Sequence, residues 1–482
     1  MSERPTYCLI TYGCQMNDAD SESVAGSLAA RGWLRTDRED DADVILVNAC
    51  VVRRSAEQRA LGRVWQLAPL KRRRPDLVIG ILGCLAQKDG QSLLEKLPHV
   101  DFVVGTRDLP QIGSLVEQIR ETRQRIVAIG SIDQPLAFEA SPLRDDLLRA
   151  MVTIMYGCNN DCSYCIVPRT RGRELSRPAE ELAAEVAGLA RGGWREVTLL
   201  GQNVNSYNDG RHDFPDLLRL IAQGNGIERI RYITSHPKDH SDRLIEAVAT
   251  TPQLCENFHL PAQAGSNRVL ERMNRGYTRD DYLRLIERIR RALPDAAITT
   301  DLMVGFPGET DADFEETLDL ARAVRWDSAF MFMYSPRDGT PAAQWPNDVP
   351  PAVKKERLQR LIQLQEAISA EVNGALVGRG QEVLVEGPSR RSDRMLMGRT
   401  RGDKVVILDG PPEWIGRTVE VVITRAAAHT LFGASRTGFQ PVQKQNPHPT
   451  SMHEVEVPGS EGKIACQPVQ PQQDAHATIG ER

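Results

Sequence analysis

Three cysteines fall inside the stretch MYGCNNDCSYCIVPR (residues 155–169), at Cys158, Cys162 and Cys165. A C-x3-C-x2-C spacing lets one short loop wrap its sulfurs around a single small centre without help from distant chain. A structural zinc site closes a tetrahedron with four ligands, commonly two separated C-x2-C pairs or a set completed by His, and no second pair lies nearby. Soft thiolates also hold iron–sulfur clusters, and a four-iron cluster held by only three Cys leaves one iron with an open position. An open iron can bind a substrate. The competing readings of the loop are a disulfide, a zinc knuckle with a distant fourth ligand, and chance spacing.

A second set of thiols emerges from the elements around it. Residues 1 to about 140 alternate apolar runs (YCLITYG, ADVILVNA, DLVIGILG, DFVVGT) with segments of helical period, the pattern of a parallel sheet with crossover helices. Cys14, Cys50 and Cys84 follow the first, second and third of these strands. In an open α/β sheet ligands gather at the carboxyl ends of strands, so three thiols distant in sequence converge on one edge. Small residues buried at strand ends are the alternative reading. Cys8 sits within the first strand and is expected in the core.

From about 145 to 373 the alternation lengthens: AMVTIMYG, EVTLLGQNV, RIRYITSHP, CENFHLPAQAG, AAITTDLMVGF and SAFMFMYSP are each followed by a helical stretch. Six βα units predict an incomplete (β/α) barrel whose active face is again the carboxyl ends of its strands. The cysteine loop stands after the first strand, and polar or Gly-rich turns follow the next four. Gln202, Asn203, Ser235 and Gln263 occupy such turns and are candidates for polar contacts to a bound ligand. His236 and His259 lie at strand ends without metal-ligand spacing and are expected to be satisfied structural groups. Residues 374–436 read as short β runs forming a small antiparallel barrel, a form compatible with RNA binding. The tail, 437–482, is rich in Gln, Pro, His and Ser and is expected to be disordered; Cys466 falls there without a site.

Composition bounds the function. Sixty basic against 65 acidic residues leave a net charge of −5, so nucleic-acid contact must come from local patches and not from a global basic field. Arg169, Arg171, Arg173 and Arg177, directly after the cysteine loop, are such a patch, and Lys71–Arg74 form a second basic run, though one that also suits a helix C-terminus. No secretory leader and no apolar run of membrane-spanning length is present, so a soluble cytoplasmic protein with no membrane partner is expected. Nine cysteines are an odd number for a disulfide framework, and in a reducing compartment cysteine clusters favour metal or catalysis.

The cysteine loop with its flanks, YGCNNDCSYCIVPRTRGRELSR, resembles that of the radical S-adenosylmethionine methylthiotransferases, and the resemblance extends over about residues 5–435 through TYGCQMN, NACVVRRSAEQR and LGCLAQ. It implies an α/β multidomain chain: an N-terminal sheet domain with an auxiliary cluster on Cys14, Cys50 and Cys84, a partial (β/α)6 core with a catalytic cluster on Cys158, Cys162 and Cys165, and a C-terminal TRAM barrel. Two [4Fe-4S] clusters and S-adenosylmethionine are the implied cofactors, with Tyr164 and the strand-end polar residues beside the latter. TYGCQMN, GQNVNSY, TSHP and MNRGYT are most similar to the branch acting on N6-isopentenyladenosine beside the tRNA anticodon. The branches acting on threonylcarbamoyladenosine and on ribosomal protein S12 are the alternatives. A non-catalytic iron–sulfur RNA-binding protein is the reading from another class. The tRNA anticodon loop, an electron donor such as flavodoxin or ferredoxin, and a sulfur source are the implied partners. NACVV departs from the more usual NTCSV but keeps Cys50.

Overall fold

The computed structural model describes residues 4–132, 140–223 and 226–435; the tail expected at 437–482, with Cys466, lies outside them. At the amino end, β1 (Thr6–Tyr12), β2 (Leu34–Arg35), β3 (Val44–Ala49), β4 (Val78–Leu82), β5 (Phe102–Val104) and β6 (Ile126–Ala128) form one sheet in the order β2-β1-β3-β4-β5-β6, every pair parallel. The central strand β3 is buried along its whole length, which is why it reads as an unbroken apolar run. Cores lie on both faces: Ile45, Val47, Ile79 and Ile81 pack to one side, Val44, Leu46, Val78 and Leu82 to the other. The crossover helices are α1 (Gln15–Ala30), α2 (Arg54–Arg73), α3 (Cys84–Asp89), α4 (Gln91–Lys96) and α5 (Ile112–Thr122). The edge strands β2 and β6 have two and three residues, too few to show a period in sequence.

The second domain holds the six expected strands in two parallel sheets. β7 (Arg149–Thr153), β10 (Glu196–Leu200) and β11 (Arg229–Tyr232) form one; β12 (Asn257–His259), β13 (Ala297–Val304) and β14 (Ser328–Met333) form the other. A single parallel bridge, Ile230 to Leu254, continues across the seam between them. The first expected strand is broken: after Thr153 the chain turns so that β8 (Met155–Tyr156) pairs antiparallel with β9 (Leu175–Ser176), and the cysteine loop is the excursion between them. Helices α7 (Ala179–Arg191), α8 (Phe214–Ala222), α9 (Asp242–Thr250), α11 (Arg279–Ala292), α12 (Asp311–Val324) and α13 (Pro351–Gly374) accompany the strands, while α6 (Val167–Arg171) and α10 (Asn267–Arg272) are short pieces. Thr278 and Thr310 start α11 and α12 with reciprocal capping by Asp281 and Asp313.

The last domain is a closed barrel of β15 (Gly380–Ser389), β16 (Ser392–Thr400), β17 (Val405–Leu408), β18 (Thr418–Ala426) and β19 (Leu431–Ser435), in the order β15-β16-β17-β19-β18. Its expected all-antiparallel pairing fails at one place, β17 against β19, which is parallel. Strands cannot alternate direction all the way round a closed ring of odd number, so one parallel pair is obligatory. The barrel is seated against the amino ends of the second domain's strands. Arg229 donates to the Arg399 carbonyl (2.8 Å) and to Glu382 (2.9 Å), and Arg231 donates to the carbonyls of Thr400 (2.7 Å) and Arg401 (2.6 Å) while pairing with Glu196 (3.0 Å). Arg149 reaches Glu386, and Arg401 reaches Glu256. The turn around Gly402 therefore closes the floor of the partial barrel.

Candidate active site

Each triad is positioned by glycine. Gly157, directly before Cys158, has φ +76°, and a Cβ there would lie 2.0 Å from the Arg173 carbonyl oxygen. Gly83, directly before Cys84, has φ +83°, and a Cβ would lie 2.2 Å from Asn48 Oδ1. Only glycine meets both demands, a left-handed backbone and a close neighbour. That Asn48 is fully buried in a network: Asn17 donates to it (3.2 Å), and it donates to the Asn17 carbonyl and to Ser21 (2.9 Å each). Asn17 Oδ1 in turn accepts from the Cys14 backbone N–H (3.4 Å), tying the start of α1 to the end of β3. The topology thus brings Cys14, Cys50 and Cys84 to neighbouring carboxyl ends of one sheet.

All eight described cysteines are free. Cys14 and Cys50 share a hydrogen bond that draws the Cys14 thiol down to about 6 and pushes Cys50 up. Burial raises Cys84, against the opposing charge of Arg171. In the other triad burial pushes Cys158 up to about 11 and Cys165 to about 12. Thiols that burial holds neutral are what a metal centre would deprotonate on binding. The sulfurs are also met by donors: Val52 N–H to Cys50 (3.3 Å), Asn160 N–H to Cys158 (3.4 Å) and Arg275 Nη1 to Cys162 (3.4 Å). Such donors to sulfur are how a protein stabilises a cluster of net negative charge. Both triads fit an iron–sulfur group.

Arg275, in the motif MNRGYT, is the neighbour that sequence reasoning missed. It is 4% exposed and bonded to Cys162, the Tyr164 hydroxyl (3.4 Å), the Tyr277 hydroxyl (3.2 Å) and the Pro261 carbonyl (2.8 Å). Tyr164 is packed edge-on against Phe306, its hydroxyl raised by burial. Of the strand-end residues, Gln202 accepts from the Gly157 N–H (2.5 Å), and Asn203 bridges Asp239 (2.9 Å) and the His236 N–H (3.0 Å). Asn203 is thereby engaged in holding the loops. Gln263 has φ +68° and pairs with Leu302 through its backbone. Among the described residues, Gln202 Nε2, Ser235 Oγ and His236 Nε2 are buried side-chain atoms with no hydrogen-bond partner. A buried polar atom without a partner calls for an explanation, and a bound polar ligand is one. His236 is half the expected satisfied histidine: its Nδ1 accepts from the Lys238 N–H (3.3 Å) while Nε2 has no partner; burial and Arg275 hold its pKa well below the usual value. His259 does have partners, Thr299 (3.0 Å) and Asp301.

The four arginines after the loop do not form one exposed patch. Arg171 is buried, ion-paired with Asp20 (2.6 Å) and beside Cys14 and Cys84, so its place is in the first triad's surroundings. Arg177 is tied to Glu185 (2.9 Å) and the Thr153 carbonyl, and Arg169 to the Gly339 carbonyl (2.8 Å). Arg173, paired loosely with Asp161 at 3.4 Å, is exposed, as is Arg169. Lys71 binds Asp101, and Arg72–Arg74 close α2.

The segment that carries Arg171 joins the two triads. Ile166 packs into the first domain's core, Thr106 donates to the Thr170 carbonyl (2.6 Å), and Arg107 donates to the Arg171 carbonyl (2.8 Å). From the other side Met16 and Ala19 of α1 pack on Tyr156 and Leu200 of the second domain, with Cys14 at the rim of that contact. The carboxyl ends of both sheets thus meet with one cysteine triad on each.

Three family models match in chain order: Uncharacterized protein family UPF0004 over residues 6–105, Radical SAM superfamily over 152–321 and TRAM domain over 374–434. A tRNA-2-methylthio-N(6)-dimethylallyladenosine synthase of Carboxydothermus hydrogenoformans is 47% identical over 90% of this chain and 99% of its own. The enzyme of the same name from Pelotomaculum thermopropionicum is 48% identical over 89% of this chain and 97% of its own. Among solved structures, the radical S-adenosylmethionine methyltransferase TsrM of Kitasatospora setae, with cobalamin and a [4Fe-4S] cluster bound, superposes with a TM-score of 0.52 at 14% identity. It covers 70% of this chain and 77% of TsrM, a likeness of fold.

Proposed function

The chain belongs to the tRNA-2-methylthio-N(6)-dimethylallyladenosine synthase family, and we infer that it places a methylthio group on C2 of N6-isopentenyladenosine beside the tRNA anticodon, on its 3′ side. Cys158, Cys162 and Cys165 would hold the [4Fe-4S] cluster that the radical S-adenosylmethionine family uses, and Cys14, Cys50 and Cys84 a second one. When bound, these groups and two molecules of S-adenosylmethionine supply a one-electron reductant, a hydrogen-abstracting carbon radical, a methyl donor and a site for the incoming sulfur.

The chain's own residues position and insulate. Arg275 sets a buried positive charge against Cys162 and fixes Tyr164. Gln202, Ser235 and His236 offer unspent polar atoms to the cofactor's amino acid and ribose groups. Asn203 and Gln263 shape the turns that present them. Arg173 is the best placed of the four loop arginines for a phosphate contact. A small electron-transfer protein such as flavodoxin or ferredoxin, and a separate sulfur source, complete the reaction, which belongs in the cytoplasm with its tRNA substrate.

The observation that supports this reading is the contact of the two domains at the ends that carry the triads: a sulfur-bearing centre and a radical-generating centre can act on one carbon only if both face one substrate. Reconstituted protein, supplied with reductant, sulfide and S-adenosylmethionine, should be offered isopentenylated tRNA, threonylcarbamoylated tRNA and ribosomal protein S12 in parallel. Nucleoside mass spectrometry should show the 2-methylthio product on the first substrate, with S-adenosylhomocysteine and 5′-deoxyadenosine formed alongside. Product on either alternative and none on the first overturns the assignment.

A further inference from the structure

The inner faces of the two three-stranded sheets are not alike. Strand pairing puts Thr299 beside His259 and Ser328, Asp301 beside Phe330, and Met303 beside Phe332, all on one face. The opposite face of the same strands carries Phe258, Ile298, Leu302 and Met331 into the core under the helices. Phe330 and Phe332 therefore point into the barrel. On the β7–β10 side the inner face is covered, with Met151 and Leu200 beneath α1. On the β12–β14 side it is less covered: Phe330 is 50% exposed, an unusual state for a large aromatic at the centre of a strand.

What does face these rings comes from the first domain. The Arg53 guanidinium stands over both, 5.7 Å from the centre of Phe330 and 5.5 Å from that of Phe332. Arg53 is three residues beyond Cys50, and the intervening Val52 is itself 51% exposed, with its carbonyl held by Arg337 of the second domain (2.9 Å). On the strand side the polar groups next to Phe330 are Asp301, its register partner, and His259, whose ring meets it edge-on at 6.2 Å.

We propose that the Phe330–Phe332 wall, clamped by Arg53, seats the substrate nucleobase and its apolar N6 substituent. The inference rests on the functional reading above and adds the residues that select the substrate. A purine extracted from a loop needs a flat apolar surface and a cation on its face, and single-stranded bases are held this way on aromatic and arginine platforms. A branched five-carbon chain on the base calls for more apolar area than an unmodified adenine, and two aromatics in i, i+2 register supply it. The seat is also bounded by the Cys50 loop, which brings the base's ring carbon toward the first triad. The Asp301 carboxylate is the acceptor on this wall for the remaining N6–H.

The test compares an anticodon stem-loop RNA carrying N6-isopentenyladenosine with the same RNA carrying adenosine, by equilibrium binding. The wild-type protein should prefer the isopentenylated RNA. Phe330→Ala should weaken binding of the isopentenylated RNA about 10- to 100-fold, the loss expected for removing one stacking ring, and weaken the adenosine RNA less because that RNA has no five-carbon chain to lose contact with; Phe330→Leu, which keeps apolar bulk, should restore part of the difference. Phe330 is half exposed, so truncation leaves no cavity; an unchanged melting temperature and iron content certify the fold. Unaltered preference in Phe330→Ala, or an equal loss on both RNAs, overturns the seat while leaving the function intact. Methylthiolation by wild type of threonylcarbamoylated tRNA or S12 alone overturns the functional reading instead.

Discussion

At the scale of single residues, the two Cys triads were legible and the charges that serve them were not. A C-x3-C-x2-C spacing is local, and strand-end placement of Cys14, Cys50 and Cys84 follows from apolar runs that any reader can find. Arg171 sits in RTRGR, which reads as a solvated basic run, because its carboxylate partner Asp20 is 151 residues away. Arg275 is likewise 113 residues from Cys162. Burying one charge of a pair without the other is costly, about 3–5 kcal/mol when a partner is removed. Arg171→Met should therefore lower stability by about that amount and loosen the first triad's iron, leaving Asp20 bare. The double variant Asp20→Asn with Arg171→Met should recover most of the loss, as read by thermal denaturation. Equal destabilisation in single and double variants would mean that the pair contributes only by shape.

At the scale of elements, the long strands announced themselves and the pairings that cross between them did not. VILVNA and VIGIL are buried parallel strands and look it, whereas the break of the sixth and seventh residues of AMVTIMYG into a separate hairpin depends on Arg173 and Gly172 lying under Gly157. That hairpin is what launches the second cysteine loop. Gly157→Ala would force a left-handed residue and a clash with the Arg173 carbonyl at once, a cost of order 1–3 kcal/mol for the backbone alone. The loop should relax by losing its ligand geometry before the barrel unfolds. Of the about eight iron atoms that two four-iron clusters require, the variant should retain about four after anaerobic reconstitution. Full iron content would show that the loop tolerates the turn, and loss of all iron would show that the triads are not independent.

At the scale of the whole molecule, the sequence divides cleanly into three kinds of pattern but says nothing of how they are joined. RIRYITSHP carries Arg229 and Arg231 on the inner face of a buried parallel strand, and that is the one hint that something polar must meet them. The C-terminal barrel does so, covering Arg229, Arg231 and Glu196 at the floor. Removing residues 374–482 should accordingly do more than weaken RNA binding. It should strip partners from charges only 1–6% exposed, so the truncated protein should melt well below the full chain or fail to remain soluble, and a folded, cofactor-cleaving truncation would contradict this joint. The other joint, the segment from Ile166 to Arg171 set into the first domain, has a consequence in time. At about 5–20 residues per second of synthesis, the 151 residues between Asp20 and Arg171 take about 8–30 s to make. Through that interval the nascent first domain carries an uncompensated carboxylate at Asp20, joined by Cys50 and then Cys84 as each is made. It reaches its finished form only once the second cysteine loop has been translated, so the ribosome itself sets the order in which the two pockets mature.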